Sequence, residues 1–416
     1  MRILKLTPQL EKQLLSRRVQ SDVEAQRAAA AIVSDVRKRG DAALLEWTKK
    51  LDDPEMRKSD LWIPQKEIRD AEHRVSAEFL RAVRQAARNI GMVAEQQLPR
   101  PWSMEVQPGV RISQRVSPIE SIGCYIPGGN ASLVSTLLMT AVPALVAGVP
   151  RIVAVCSKPN NELLAVANFL DLREIAHIGG AQAIGALAYG TKSVSRVEKI
   201  FGPGNKYVTA AKQLVSADCA IDLPAGPTEA IVLAERGNAR FIAADLLAQA
   251  EHAKDAASFL VTTSLALARE VQREVKWQLG KLPIGVANYS TMRSGAILVA
   301  KSLQRACDFV NGFAPEHLSL PSDSGALLRQ IRTSGTVFIG PWAAQPLGDY
   351  VTGSNHVLPT AGWARRRGGL SAADFVKCII MQTISRKGFL GLANSAENLA
   401  ESEGLLAHRN AVRIRR

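Results

Sequence analysis

Cysteine is scarce in this chain of 416 residues and widely scattered: Cys124, Cys156, Cys219, Cys307 and Cys378 include no C-x-x-C pair. An odd, dispersed set excludes a disulfide framework and a cysteine-based zinc ribbon, and it fits a reducing cytoplasm. Long apolar runs are missing as well. Residues 121–150 carry no charge, a length that could span a bilayer. However, Gly128, Gly129, Asn130, Ser132, Ser135, Thr136, Thr140 and Pro143 break the run into a loop and a buried helix. The opening residues MRILKLTPQLEKQLL meet charge before an apolar core of signal-peptide length can form, so neither export nor membrane insertion is expected. There is no internal sequence repeat and no low-complexity tract.

What is present reads as an ordinary folded protein. With 47% hydrophobic and 22% charged residues the composition is globular, and 416 residues are too many for one core, so two or more domains are expected. The net charge of +14 invites an anionic partner. Yet the positive residues are mixed with acids and cluster only at 365–367 and at Arg413, Arg415 and Arg416. That dispersal reads as solvated charge, and attraction for an anionic dinucleotide uses it more economically than nucleic-acid binding does.

Residues 1–50 read as helices, with Ser21 and Glu24 forming an S-x-x-E capping box before an amphipathic run that Gly40 ends. A further helix is expected from about 64 to 95. Alternation of Val106, Val110, Ile112, Val116 and Ile119 predicts extended strands within 102–125. Short apolar strands over 152–156, 175–178 and 197–201 then alternate with helices near 131–147, 161–170 and 182–189. Such a Rossmann-like series binds ligands beyond the carboxyl ends of its strands, where three glycine turns fall: one after Tyr125, one at 179–182 and one at 202–205. A second series follows, with strands near 230–233, 259–262, 297–300 and 336–339 and helices near 239–254, 264–279, 301–312 and 325–332. The expected fold class is α/β, with two Rossmann-like α/β domains and small helical N- and C-terminal segments.

The stretch 201–252 concentrates the chemistry. Gly202, Gly204 and Asn205 make a turn at which backbone can approach a phosphate. Further on, Gln249 and His252 are three residues apart and share a helix face, with Asp245 one turn earlier on the same side. Of only six histidines, His252, His317, His356 and His408 stand beside acids or glycines, whereas His73 and His177 read as structural. Glu316 and His317 are adjacent, so on a regular element their side chains would point apart, and a loop after Pro315 is the expected setting. One of the pair can act as base toward an alcohol and the other toward water.

The wording GPGNKYV, IDLPAGPTE and DLLAQAEH, then APEHL, GDYVTGSNHVLPT and EGLLAHRNAVRIR, closely resembles the histidinol dehydrogenase family over nearly the whole chain. The resemblance implies oxidation of L-histidinol through L-histidinal to L-histidine, with zinc and two NAD, in a homodimer with shared active sites. It implies zinc ligands Gln249, His252 and Asp349, with His408 contributed by the other subunit. His317 would take the alcohol protons and Glu316 would activate water. Tyr125, Gln182 and Asn205 would bind NAD, and Thr228, His356 and Glu403 would bind substrate together with the metal ligands and the Glu316–His317 pair. The implied domains are a helical segment 1–16, a discontinuous α/β domain over 17–124 and 229–371, an NAD-binding domain over 125–228, and a helical region 372–416 that completes the partner's site.

Two departures bear on substrate. Thr228 stands where the family commonly has serine, and ASLVSTLLM from residue 131 lacks the Tyr-Pro that many members carry there. Both leave room for a relative that oxidises another amino alcohol or a sulfonated diol. A cysteine-based aldehyde oxidation at Cys124 is a further alternative, although no histidine or cation stands beside it in sequence. A basic nucleic-acid-binding protein is the alternative outside the enzymes.

Overall fold

The computed structural model of the chain describes residues 1–16, 22–128, 133–223, 226–283, 285–322 and 325–416. Two parallel sheets carry the fold. The first has five strands in the order Glu174–Ala176, Arg151–Val155, Ser121–Tyr125, Lys199–Phe201, Ala220–Ile221. Its residues alternate between faces as a pleated strand requires. Ile122, Cys124, Ile152 and Ala154 turn to a core that includes helices Ala77–Gln97, Val134–Val146 and Asn161–Phe169. Tyr125, Val153, Val155 and Ile200 turn to the opposite core, closed by Val23–Arg39, Gly180–Tyr189 and Lys206–Val215.

The second sheet has six parallel strands in the order Arg2–Lys5, Ala296–Val299, Ala257–Thr262, Glu229–Leu233, His317–Leu320, Thr336–Ile339. Ile231, Leu233, Phe259 and Leu298 face one core with Phe309 and Phe313, and Val232, Leu260 and Ile297 face the other with Leu246 and Val271. Starting from Glu229–Leu233 the chain winds one way through two strands and then returns to add His317–Leu320 on the other side. Glu229 and His317 therefore stand side by side at the amino-terminal edge, in a register that pairs His317 with Ala230.

Several expectations are corrected. His317 begins a strand and does not lie in a loop, because Leu318 and Leu320 alternate into the core while the backbone pairs with strands on both sides. Residues 1–16 are not purely helical: Arg2–Lys5 is a sheet strand whose Leu4 and Leu6 feed the core. Helices between 23 and 97 pack on the five-stranded sheet, so the expected grouping of 17–124 with 229–371 does not follow the burial. The helix expected over 64–95 is divided into Gln65–Asp70 and Ala77–Gln97, and that expected over 325–332 spans only Gly325–Leu328. Ser21 of the expected capping box lies outside the described residues; Asp22 caps the helix instead, accepting from Ala25 N at 2.9 Å.

The C-terminal region is also more than helical. Strand Val376–Ile384 runs antiparallel to Val110–Pro118, which pairs with Trp102–Gln107 to make a third, small sheet. Helices Arg386–Ser402 and Leu406–Arg413 follow and pack mainly on each other, the second with no buried residue. Met104, Val106, Ile380, Leu399, Leu406 and Ile414 are left exposed along this arm. Among the described residues no helix is long and apolar enough to cross a membrane.

Candidate active site

Ala314, in the left-handed region at φ +52°, ends helix Leu303–Phe313 and turns the chain into Pro315, Glu316 and His317. Such a backbone in a residue with a Cβ costs roughly 1–2 kcal/mol and persists only where packing enforces it. Glu316 is buried, and its Oε2 accepts from the Thr228 hydroxyl at 2.5 Å and from Glu229 N at 2.9 Å. Two donors thus converge on one oxygen and fix the carboxyl group in place. His317 is equally buried, with Nδ1 3.8 Å from Glu316 Oε2 and Nε2 3.5 Å from Asp349 Oδ1. Among the described residues neither nitrogen has a hydrogen bond of normal length. Burial alone would lower this imidazole, but Glu316 and Asp349 lift it above the ordinary histidine range. A buried imidazole between two carboxylates, with both nitrogens unspent, is equipped to accept and hand on a proton.

Gln249 and His252 lie at the C-terminal end of helix Ala239–Glu251, which returns from strand Glu229–Leu233 to the same amino-terminal edge. Gln249 donates from Nε2 to Thr228 Oγ1 at 2.6 Å, and its Oε1 accepts from Gln345 Nε2 at 2.5 Å. His252 Nδ1 is 3.1 Å from Ala248 O, so a proton on Nδ1 is held by that carbonyl and Nε2 keeps its lone pair. Asp349 sits on helix Gln345–Tyr350, buried. Burial would raise its carboxyl, yet His317, His356 and His252 hold it below the usual range. His356 Nδ1 meets Asp349 O at 2.9 Å, and its Nε2 lies 3.5 Å from Thr136 Oγ1, while burial pushes its imidazole down.

One amide oxygen, one imidazole with a free nitrogen and one ionised carboxylate make a donor set of the kind zinc takes. The negative end of the Ala239–Glu251 helix adds a field that favours a cation there. Among the described residues no group of three His, Cys, Asp or Glu is spaced for a metal ion. That accords with a site in which one donor is an amide and another comes from elsewhere. Zinc therefore fits Gln249, His252 and Asp349, with one ligand still to be supplied.

The three glycine turns lie at the carboxyl edge of the five-stranded sheet. Gly202, at φ +111°, could bear no side chain, since a Cβ would stand 2.1 Å from Tyr125 O. Its N–H donates to the buried Asp222, which is paired with Lys212. Tyr125 is buried, and its hydroxyl accepts from Gly180 N at 3.1 Å; burial pushes the phenol up to about 12. Gln182 is fully buried, donating to Asp52 at 2.7 Å, and its Oε1 has no partner among the described residues. Asn205 is exposed and caps helix Lys206–Val215 by accepting from Tyr207 N and Val208 N. Helix Val134–Val146 starts from this edge, and its Thr136 reaches His356, which joins the crevice to the catalytic cluster.

Two expected residues are not brought to the cluster. Glu403 and His408 are exposed on the C-terminal helices. His177 bonds Ser157 O at 2.9 Å and His73 is exposed, as expected of structural histidines. Cys124 is fully buried and its thiol is pushed up to about 12, which removes it as a nucleophile. Sequence reasoning missed Gln345 and Asp52. The signal for Gln345 was its place four residues before Asp349, one helical turn away; nothing in sequence links Asp52 to Gln182.

The family model described as histidinol dehydrogenase matches residues 15–416. The histidinol dehydrogenase of Methanosarcina mazei is 44% identical over 395 residues, which cover 93% of this chain and 90% of that protein. The enzyme of that name from Vibrio parahaemolyticus is likewise 44% identical, over 93% of this chain and 91% of its own. A crystal structure of histidinol dehydrogenase from Elizabethkingia anophelis superposes with a TM-score of 0.94 at 36% identity, covering 100% of this chain and 98% of that one.

Proposed function

The chain belongs to the histidinol dehydrogenase family, and from that premise we propose that it oxidises L-histidinol through L-histidinal to L-histidine, using two NAD in succession. Membership makes it an oxidoreductase of histidine biosynthesis. The observation that carries the finer reading is the convergence of Thr228, Gln249, His252, Glu316, His317, Asp349 and His356 from five separate segments onto one sheet edge.

Gln249, His252, Asp349 and the partner subunit's His408 would hold zinc, which would supply a Lewis acid that orients the amino alcohol through its neutral nitrogens. Tyr125, Gln182 and Asn205, at the glycine turns, would hold NAD, which would supply the hydride acceptor. His317 accepts the hydroxyl proton in the first oxidation, its raised basicity coming from the two carboxylates beside it. Glu316, fixed in place by the Thr228 hydroxyl and the Glu229 amide, draws a proton from the water that adds to the aldehyde, and loss of a second hydride leaves the carboxylate. Thr228, His356 and Glu403 complete the substrate contacts, Glu403 by countering the amine's charge.

The protein works as a homodimer with shared active sites. Support comes from the exposed apolar residues of the C-terminal arm, whose helices bury little within their own chain. A reducing cytoplasm is its place, consistent with five cysteines that form no disulfide among the described residues. A substrate panel tests the reading through NAD reduction, followed by its near-ultraviolet absorbance. L-Histidinol should exceed a ringless amino alcohol and a sulfonated diol by over roughly a hundredfold in kcat/KM, since a site built for a polar group rejects analogues lacking it. Comparable turnover of the diol, with histidinol oxidised poorly, would move the chain to the related specificity.

A further inference from the structure

The Gln249 amide touches one residue that belongs to none of the motifs. Gln345 opens helix Gln345–Tyr350, is itself buried, and meets Gln249 amide to amide at 2.5 Å. The backbone of Gln345 also comes close to the Asp245 carboxylate. Asp245 lies one turn before Gln249 on helix Ala239–Glu251. One residue thus faces two successive turns of the neighbouring helix and is bonded to the second. Four residues further along its own helix stands Asp349.

From this juxtaposition we infer that Gln345 is a positioning residue for the metal site, its bond to Gln249 fixing the spacing between the helix that carries Gln249 and His252 and the helix that carries Asp349. The inference rests on the zinc reading above. Three donors from two helices bind an ion well only if both helices are held at one distance and one rotation. Gln249 and Asp349 have no direct bond to each other among the described contacts, whereas each is tied to Gln345, one by side chain and one by helix. The bond also orients the Gln249 amide. A side chain that holds a metal-ligating group in place typically accounts for 10–100-fold in metal affinity.

The test compares zinc affinity in the full-length protein, measured by competition with a chromogenic chelator, for wild type, Gln345→Met and Gln345→Glu, with circular dichroism to confirm folding. Methionine keeps the length and loses the polar atoms, so zinc affinity should fall roughly 10–100-fold. Glutamate should stay within about threefold of wild type, because a carboxyl kept protonated by burial can still donate to Gln249 Oε1 and leave that amide oriented as it is. Wild-type affinity in Gln345→Met would overturn the inference. If Gln345→Met does not fold, Gln345→Glu decides: retention of affinity supports a polar brace and a loss beyond tenfold contradicts it. A wild-type protein that holds no stoichiometric zinc would instead defeat the metal reading itself.

Discussion

The Thr228 hydroxyl donates to Glu316 Oε2 at 2.5 Å while receiving the Gln249 amide at 2.6 Å, so one side chain joins the Glu316 carboxyl to the Gln249 amide. The contact gives the residue at this position a role that a methyl group does not alter. Thr228→Ser keeps both bonds and should change histidinol turnover by only a few fold. Thr228→Val removes a hydrogen bond to a charged group, worth about 1.5–3 kcal/mol, and should lower kcat/KM by about one to two orders of magnitude. Steady-state kinetics of both variants check this.

Glu316→Gln should separate the two oxidations. With the base for water removed, oxidation of added L-histidinal should fall by about 10²–10⁴, and oxidation of L-histidinol to the aldehyde by much less. His317→Asn should damage both steps. Single-turnover measurements starting from each substrate distinguish the outcomes; a Glu316→Gln enzyme impaired in the alcohol step alone would reverse the two roles.

The fourth metal ligand is assigned to another subunit, which makes a complementation experiment decisive. His408→Ala and His317→Asn homodimers should each be inactive. A hybrid dimer carries one site with the intact His317 of one chain and the intact His408 of the other, so mixing after mild dissociation should restore activity. Removal of the chain from Leu392 onward should abolish zinc retention and activity together. No recovery on mixing, with hybrids demonstrated by mass spectrometry, would place the site within one chain.

Asp245 links pH to stability. Burial raises its carboxyl from the unfolded value to about 6. A raised folded value means that the group's contribution is fully present below about pH 4 and is lost as pH rises through about 6. The ionised form therefore burdens the fold at neutral pH, by on the order of 1–3 kcal/mol at most. Asp245→Asn, which keeps the side chain's shape without the charge, should raise the denaturation midpoint of the zinc-free protein at pH 8 and leave it nearly unchanged at pH 4.

How far these residues were readable beforehand depends on the range over which their signals act. Gln249 and His252 were legible because a helix repeats locally: a spacing of three puts them on one face whatever the rest of the chain does. Glu316 and His317 were legible as chemistry and misread as structure. The run HLSL has no unbroken apolar stretch, and only pairing with residues 229–233 and 336–339 makes it a strand. The strand Arg2–Lys5 has the same cause, since its partner lies at 296–299. Helices between 23 and 97 could not be assigned to a sheet from sequence, because an amphipathic face states that it will be buried and not against what. Gln345 carried no signal apart from its place one turn before Asp349.

The central claim is a zinc-dependent oxidation through two hydride transfers on one substrate. Its most direct test is stoichiometry: metal-free protein is reloaded with zinc and given limiting L-histidinol with excess NAD, and NADH and L-histidine are both counted at completion. The account predicts two NADH and one L-histidine for each histidinol, and no turnover before zinc is restored. One NADH with aldehyde as the end product, or full turnover without metal, would contradict it.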